Sequence, residues 1–189
     1  MSNRIAVLPL ACAAALVVVP SPALAAPNLS GTWTLVQQRS DDVREKIVAS
    51  LGLGYAQDDV RPDAPRLWVP DWLLAQAENP GAPTLTIEQA ATQLKTGTGD
   101  DVRIYYFGRE TTRQGPGGGL CKASVRWDGN RVIVEEKAEK GSGHVVEVYE
   151  LQPDGRSLLV TWRLEHKTMR QPLELRLAFQ KAAPQKAAP

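Results

Sequence analysis

The 189-residue chain is poor in reactive side chains, with two cysteines, two histidines and two methionines, and its charges nearly cancel at 22 basic against 21 acidic. Each scarcity excludes something. No Cys-x-x-Cys, His-Glu-x-x-His or Gly-x-Ser-x-Gly occurs, so a redox, zinc-protease or serine-hydrolase site has no motif to rest on. His144 and His166 have no carboxylate at tight ligand spacing, which is a poor metal signal. No metal and no cofactor are expected. The run Gln114-Gly115-Pro116-Gly117-Gly118-Gly119 is not followed by Gly-Lys-Ser/Thr, so it reads as a flexible loop rather than a phosphate cradle. The near-zero net charge excludes a broad electrostatic footprint for nucleic acid or anionic lipid.

Long apolar runs are scarce too, apart from one at the N-terminus. Arg4 precedes a mostly apolar stretch over 5–19, and Ala23-Leu24-Ala25 fits a small-x-small cleavage site, so residues 1–25 read as a signal peptide. Pro9 interrupts that stretch before spanning length, and no transmembrane span is expected. Leu10-Ala11-Cys12 offers a rival lipoprotein reading, weakened by Pro9. The protein is therefore expected to be exported, either periplasmic or secreted. Cleavage after Ala25 would remove Arg4, taking the formal charge from +1 to zero, and Cys12, leaving Cys121 as the only cysteine, so no intramolecular disulfide can form. A lone cysteine in an alternating strand is read as a small buried hydrophobe. Residues 26–181 suffice for one domain with a sizeable core. The tail 182–189 (Ala-Ala-Pro-Gln-Lys-Ala-Ala-Pro) is expected to be disordered.

What the chain does have is period-two alternation. Residues 158–165 carry apolar side chains at the even positions, and 173–180 carry them at the odd ones, which places one row on each face of a sheet. Asp128-Gly129, Gly141-Ser142-Gly143 and Asp154-Gly155 separate strand-like runs as hairpin turns do. Eight strands are clear, at 30–37, 84–89, 102–107, 121–127, 131–137, 145–151, 158–165 and 173–180. Residues 92–96 and Thr111–Gln114 are candidate extras that are gained or lost together, since an up-and-down barrel closes on an even number. Residues 97–101 read as a turn. After the first strand, Asp42 with Glu45 resembles a capping box, and Val43, Ile47, Val48 and Leu51 form a helical stripe. Asp41 and Asp42 are read as helix-start residues rather than metal ligands. Residues 52–83 are Pro-rich but contain Trp68, Trp72, Leu73 and Leu74, with a short helix expected near Pro70. An apolar insertion of this length suggests a packed cap or a lid.

Gly31-Thr32-Trp33 on the first strand, a long first connection and a meander of hairpins resemble the lipocalins and the small lipocalin-like exported bacterial families. That resemblance implies an all-β, mainly antiparallel, up-and-down β-barrel of 8–10 strands with a helix-containing insertion after strand 1. It also implies a basic residue packed across Trp33, for which Arg176 is the candidate, and a first loop lying over the mouth. The 115–119, 141–143, 167–172 and 38–83 connections then gather at the capped end, with the two Asp-Gly turns at the other.

Counting from two-residue turns sets Val125 opposite Val132, Ala123 opposite Val134, Tyr149 opposite Val160 and Glu147 opposite Trp162. It also sets Glu136 opposite Glu147 on the inward face, where two carboxylates could share a proton or hold the polar end of a ligand. The plainer alternative slips the 145–151 strand by one residue, burying Val146 and Val148 and leaving Glu147 in water. Strand separation of roughly 10 Å rules out a Cys121–His144 dyad. Trp68, Trp72, Glu136, Glu147, Tyr149 and Trp162 are thus the candidate ligand-binding residues, and the partner expected is a small hydrophobic ligand. The competing reading is a packed barrel acting as a protein-interaction or envelope-assembly module, favoured by the large inward side chains Leu158, Trp162, Leu173, Leu175, Leu177 and Phe179. An enzyme using Glu136 and Glu147 is the remaining possibility.

Overall fold

Burial follows the two-residue period of the sequence, and that period builds a barrel. The computed structural model describes residues 27–51, 69–78, 81, 83–115 and 119–183. Ten antiparallel strands form one sheet: β1 (Gly31–Leu35), β2 (Thr84–Gln89), β3 (Gln93–Thr98), β4 (Asp101–Tyr106), β5 (Thr111–Gln114), β6 (Leu120–Asp128), β7 (Arg131–Ala138), β8 (His144–Leu151), β9 (Ser157–Glu165) and β10 (Leu173–Lys181). Both candidate extras are therefore strands. Each strand pairs with its sequence neighbours except at two places. β10 returns to pair with β1, and β4 and β5 are the sheet's two edges. The edges approach at Phe107, which bridges to Val125 and stacks on Trp127 with ring centroids 5.6 Å apart. The result is an almost closed barrel, which leaves little free edge.

The hairpins correct the counting in three places. Gly129 and Asn130 form the β6–β7 turn, with Asp128 paired to Arg131, so Val125 faces Val134 and Ala123 faces Glu136. Positive φ falls on Gly129 at 62°, which makes glycine the first turn residue rather than the second. The β7–β8 connection spans 139–143 instead of a two-residue turn, so Glu136 faces Val145 and Glu147 faces Val134. Between β3 and β4 only Gly99 and Asp100 turn; Gly97, Thr98 and Asp101 are already in the ladder. The β8–β9 register stands as counted, with Tyr149 opposite Val160 and Glu147 opposite Trp162.

Helices α1 (Val43–Leu51) and α2 (Asp71–Glu78) follow β1. The Asp42 carboxylate accepts from the Glu45 amide at 3.0 Å, satisfying one of the free N–H groups of the first turn. Val43 and Ile47 supply the buried stripe of α1. Asp41 ties the helix start to β10, accepting from the Arg176 amide at 2.8 Å while its own amide donates to the Arg176 carbonyl. In α2, Pro70 provides the carbonyl for Leu73 and Leu74, and Leu73 is buried in the common core. Among the described residues no helix is long and apolar enough to cross a membrane. The signal peptide, Trp68 and residues 184–189 of the tail lie outside the described residues.

Trp33 is completely buried, and its indole N–H donates to the Leu29 carbonyl at 2.9 Å. The cation over its ring is Lys181, 5.2 Å from the centroid, not Arg176, which points to solvent. The register explains the difference: Lys181 pairs directly with Trp33 across β1 and β10.

Candidate functional site

Inside the barrel the side chains are mostly branched and aromatic, yet two carboxylates share the space. Glu136 on β7 and Glu147 on β8 are each only 1% exposed. Glu147 is inward, so the one-residue slip that would have left it in water does not occur. Val146 and Val148 take the half-exposed positions instead. A buried carboxylate needs a cation and hydrogen-bond donors, and the fold supplies a separate set to each.

Glu147 forms an ion pair with Arg103 of β4, accepts from the Tyr149 hydroxyl, and accepts from the Trp162 indole at 3.2 Å. Glu136 accepts from the Tyr105 hydroxyl at 2.6 Å and from Arg113 of β5 at 2.6 Å, with the Cys121 thiol 3.9 Å away. The two carboxylates therefore do not face one another or share a proton. Burial alone would raise the Glu147 carboxyl, but Arg103 and the hydroxyl and indole donors outweigh it and hold it below the ordinary carboxylate range. Burial, and then the neighbouring Glu147 charge, push the Tyr149 phenol well above its usual value. Burial is also the main reason the Cys121 thiol rises to about 11, which makes it a poor nucleophile. Cys121 points inward on β6. His144 lies two strands away on β8 and binds Glu135 on the outer side at 2.8 Å.

The interior leaves a void of about 10 Å³ lined by Trp72 of α2 together with Arg103, Glu147, Tyr149, Trp162 and Leu177, among others. That is room for about one water. Of the six candidate residues, Trp72, Glu147, Tyr149 and Trp162 therefore meet around one space. Glu136 belongs to the separate cluster with Arg113 and Tyr105.

Arg103 was the residue missed. In Val102-Arg103-Ile104-Tyr105 the apolar side chains point outward, 52% exposed at Val102 and 42% at Ile104, while Arg103 is 6% exposed. The signal available was indirect: two inward carboxylates demand two inward cations, and Arg103 and Arg113 lie on strands that reach them.

No protein-family model matches the chain, and no curated protein does. Solved structures do. The fatty acid transporter REP1-NXSQ is 16% identical with a TM-score of 0.53, over 82% of this chain and 96% of its own. Lipid binding protein 8 of Caenorhabditis elegans, solved in its apo form, is 16% identical with a TM-score of 0.53, over 81% and 94%. Human cRBP IV is 21% identical with a TM-score of 0.52, over 82% and 98%. The fold is a lipocalin-like β-barrel. At these identities the likeness concerns the fold.

Proposed function

We propose that the mature protein is an exported carrier that binds a small, largely apolar molecule inside the barrel, beneath a cap formed by the helix that bears Trp72. The observation that carries this reading is the void under α2. There Trp72, carried by a helix of the long insertion rather than by a strand, lines the space, and four of the six candidate residues converge on it. Two of the fold neighbours are described as a fatty acid transporter and a lipid binding protein, which supports an apolar ligand. At about 10 Å³ the void accepts a ligand only if Trp72 swings out, so α2 acts as the gate. Export is supported by Arg4, the apolar 5–19 stretch and Ala23-Leu24-Ala25.

The packed-barrel reading has its own observation. Val102 and Ile104 are exposed on edge strand β4, beside an outer depression of about 340 Å³ lined by Thr84, Thr86, Lys95 and Gly97. Such a face suits a protein partner. A screen of lipids and hydrophobic dyes against the purified mature protein separates the two. The carrier reading expects saturable tryptophan quenching and a raised Tm, since only the folded state binds. No saturable signal and no thermal shift would favour the interaction module.

A further inference from the structure

Around the void under α2, hydrogen-bond donors are left over while the one carboxylate on its lining is already heavily used. Glu147 accepts from Arg103, Tyr149 and Trp162. Two other buried N–H groups on the lining residues have no acceptor among the described residues, the Nε of Arg103 and the indole Nε1 of Trp72. The Asp101 carboxylate lies 3.6 Å from the Arg103 Nε, beyond hydrogen-bond reach. Buried donors of this kind are ordinarily satisfied, and each unsatisfied one calls for an explanation. Here both belong to residues around the same space, one on the wall and one on the helix that covers it.

The charges of the interior narrow the answer further. Arg103 is matched by Glu147 and Arg113 by Glu136, and Asp101 adds a further negative charge beside Arg103. An incoming carboxylate would find donors but, among the described residues of the interior, no uncompensated cation. It would sit close to Glu147, which its own partners keep ionised, and like charges in a poorly solvated space repel strongly. A neutral acceptor meets no such cost. A hydroxyl ligand could accept from the same donors, but its own O–H would compete for the last of about four acceptor positions on Glu147, three of which are taken.

Building on the carrier reading, we infer that the site selects neutral ligands whose single polar atom is an acceptor, a ketone, ester or ether oxygen on an apolar chain. Trp72 and Arg103 are the residues that hold that oxygen. Trp72 has two positions in this account: it fills the space in the empty barrel and donates to the ligand once displaced.

The test compares methyl dodecanoate, dodecanoate and dodecane by competitive displacement of a bound hydrophobic dye, at about pH 8 where the free acid is ionised. The ester is expected to bind about tenfold more tightly than either of the others, the discrimination expected when buried donors gain or lack their acceptor. Trp72→Phe keeps the ring and removes the N–H, and should shrink the preference for ester over alkane several-fold at an unchanged Tm. Arg103→Lys keeps a cation for Glu147 but removes the Nε, and should act in the same direction. The inference is overturned if dodecanoate binds as well as the ester, or if Trp72→Phe leaves the ester preference intact. Saturable binding of all three without preference would sink the selectivity and leave the carrier reading standing. Binding of none would sink both.

Discussion

Replacing Arg103 by Met isolates the electrostatic part of the barrel interior. Met retains an unbranched apolar stem, so the packing against Tyr149 and Trp162 changes little, while Glu147 loses the cation paired with it. Breaking a buried pair from one side typically costs about 3–5 kcal/mol, because the remaining charge is left uncompensated. Tyr149 and Trp162 still donate to Glu147, which places the expected loss near the lower end, about 3 kcal/mol. For a domain of this size that corresponds to a fall in Tm of roughly 6–12 °C. The pH dependence carries the sign. In the wild type Glu147 is held below the ordinary carboxylate range. Its contribution is present above the unfolded pKa of about 4.3 and is lost as pH falls through the lower folded value. In the variant, burial without Arg103 raises the Glu147 carboxyl, so its penalty is largest at neutral pH and shrinks as acid protonates it. Urea denaturation at about pH 5 and pH 8 should therefore show a smaller deficit at the lower pH. Adding Glu147→Leu to Arg103→Met should recover most of the loss, since a well-packed apolar pair is often no worse than a buried ion pair. A single-variant cost under about 1 kcal/mol, or one that is the same at both pH values, would refute the pairing argument.

Other expectations follow from the same contacts. Trp33→Ala should cost about 3–5 kcal/mol in chemical denaturation, as large buried aromatics do, and a loss under ~1 kcal/mol would contradict its role as a fully buried core side chain. Lys181→Met should cost far less, about 0.5–1 kcal/mol, the worth of a partly exposed cation over a ring. Cys121, buried and with its thiol pushed to about 11, should react with a thiol reagent at neutral pH only as fast as the barrel opens, so rapid stoichiometric labelling of the native protein would be wrong for this site. N-terminal sequencing of the exported protein should begin near Ala26; an unprocessed cytoplasmic product would overturn the export reading, and a lipid-modified Cys12 would support the rival signal.

The parts of the fold legible in the sequence are those where one physical rule acted alone. Alternation in 158–165 and 173–180 set the inward rows of β9 and β10 correctly because both strands lie inside the sheet with an apolar core on one side only. The Asp42 cap and the Val43/Ile47 stripe are local features, and α1 forms where they point. Register failed where turn length had to be assumed. Placing glycine second in the β6–β7 turn moved Val125 by two residues, and treating 139–143 as a two-residue turn set the two glutamates face to face. Faces failed where two rules competed. In β4 the apolar rule favours Val102 and Ile104 inside, but Glu147 and Glu136 need Arg103 and Tyr105, and the buried charges prevail. The same competition kept Arg103 out of the predicted site, although it supplies the cation on which the Glu147 cluster depends.

The claim that a ligand lies inside the barrel is tested most directly by locating one. Methyl dodecanoate bound to isotopically labelled mature protein can be placed by nuclear Overhauser contacts between chain protons and protein side chains. The account predicts contacts to Val160, Trp162 and Leu177, which line the space under α2, together with shifted resonances for Trp72. Contacts confined to Val102 and Ile104 on the outer face of β4, or none at all, would contradict it.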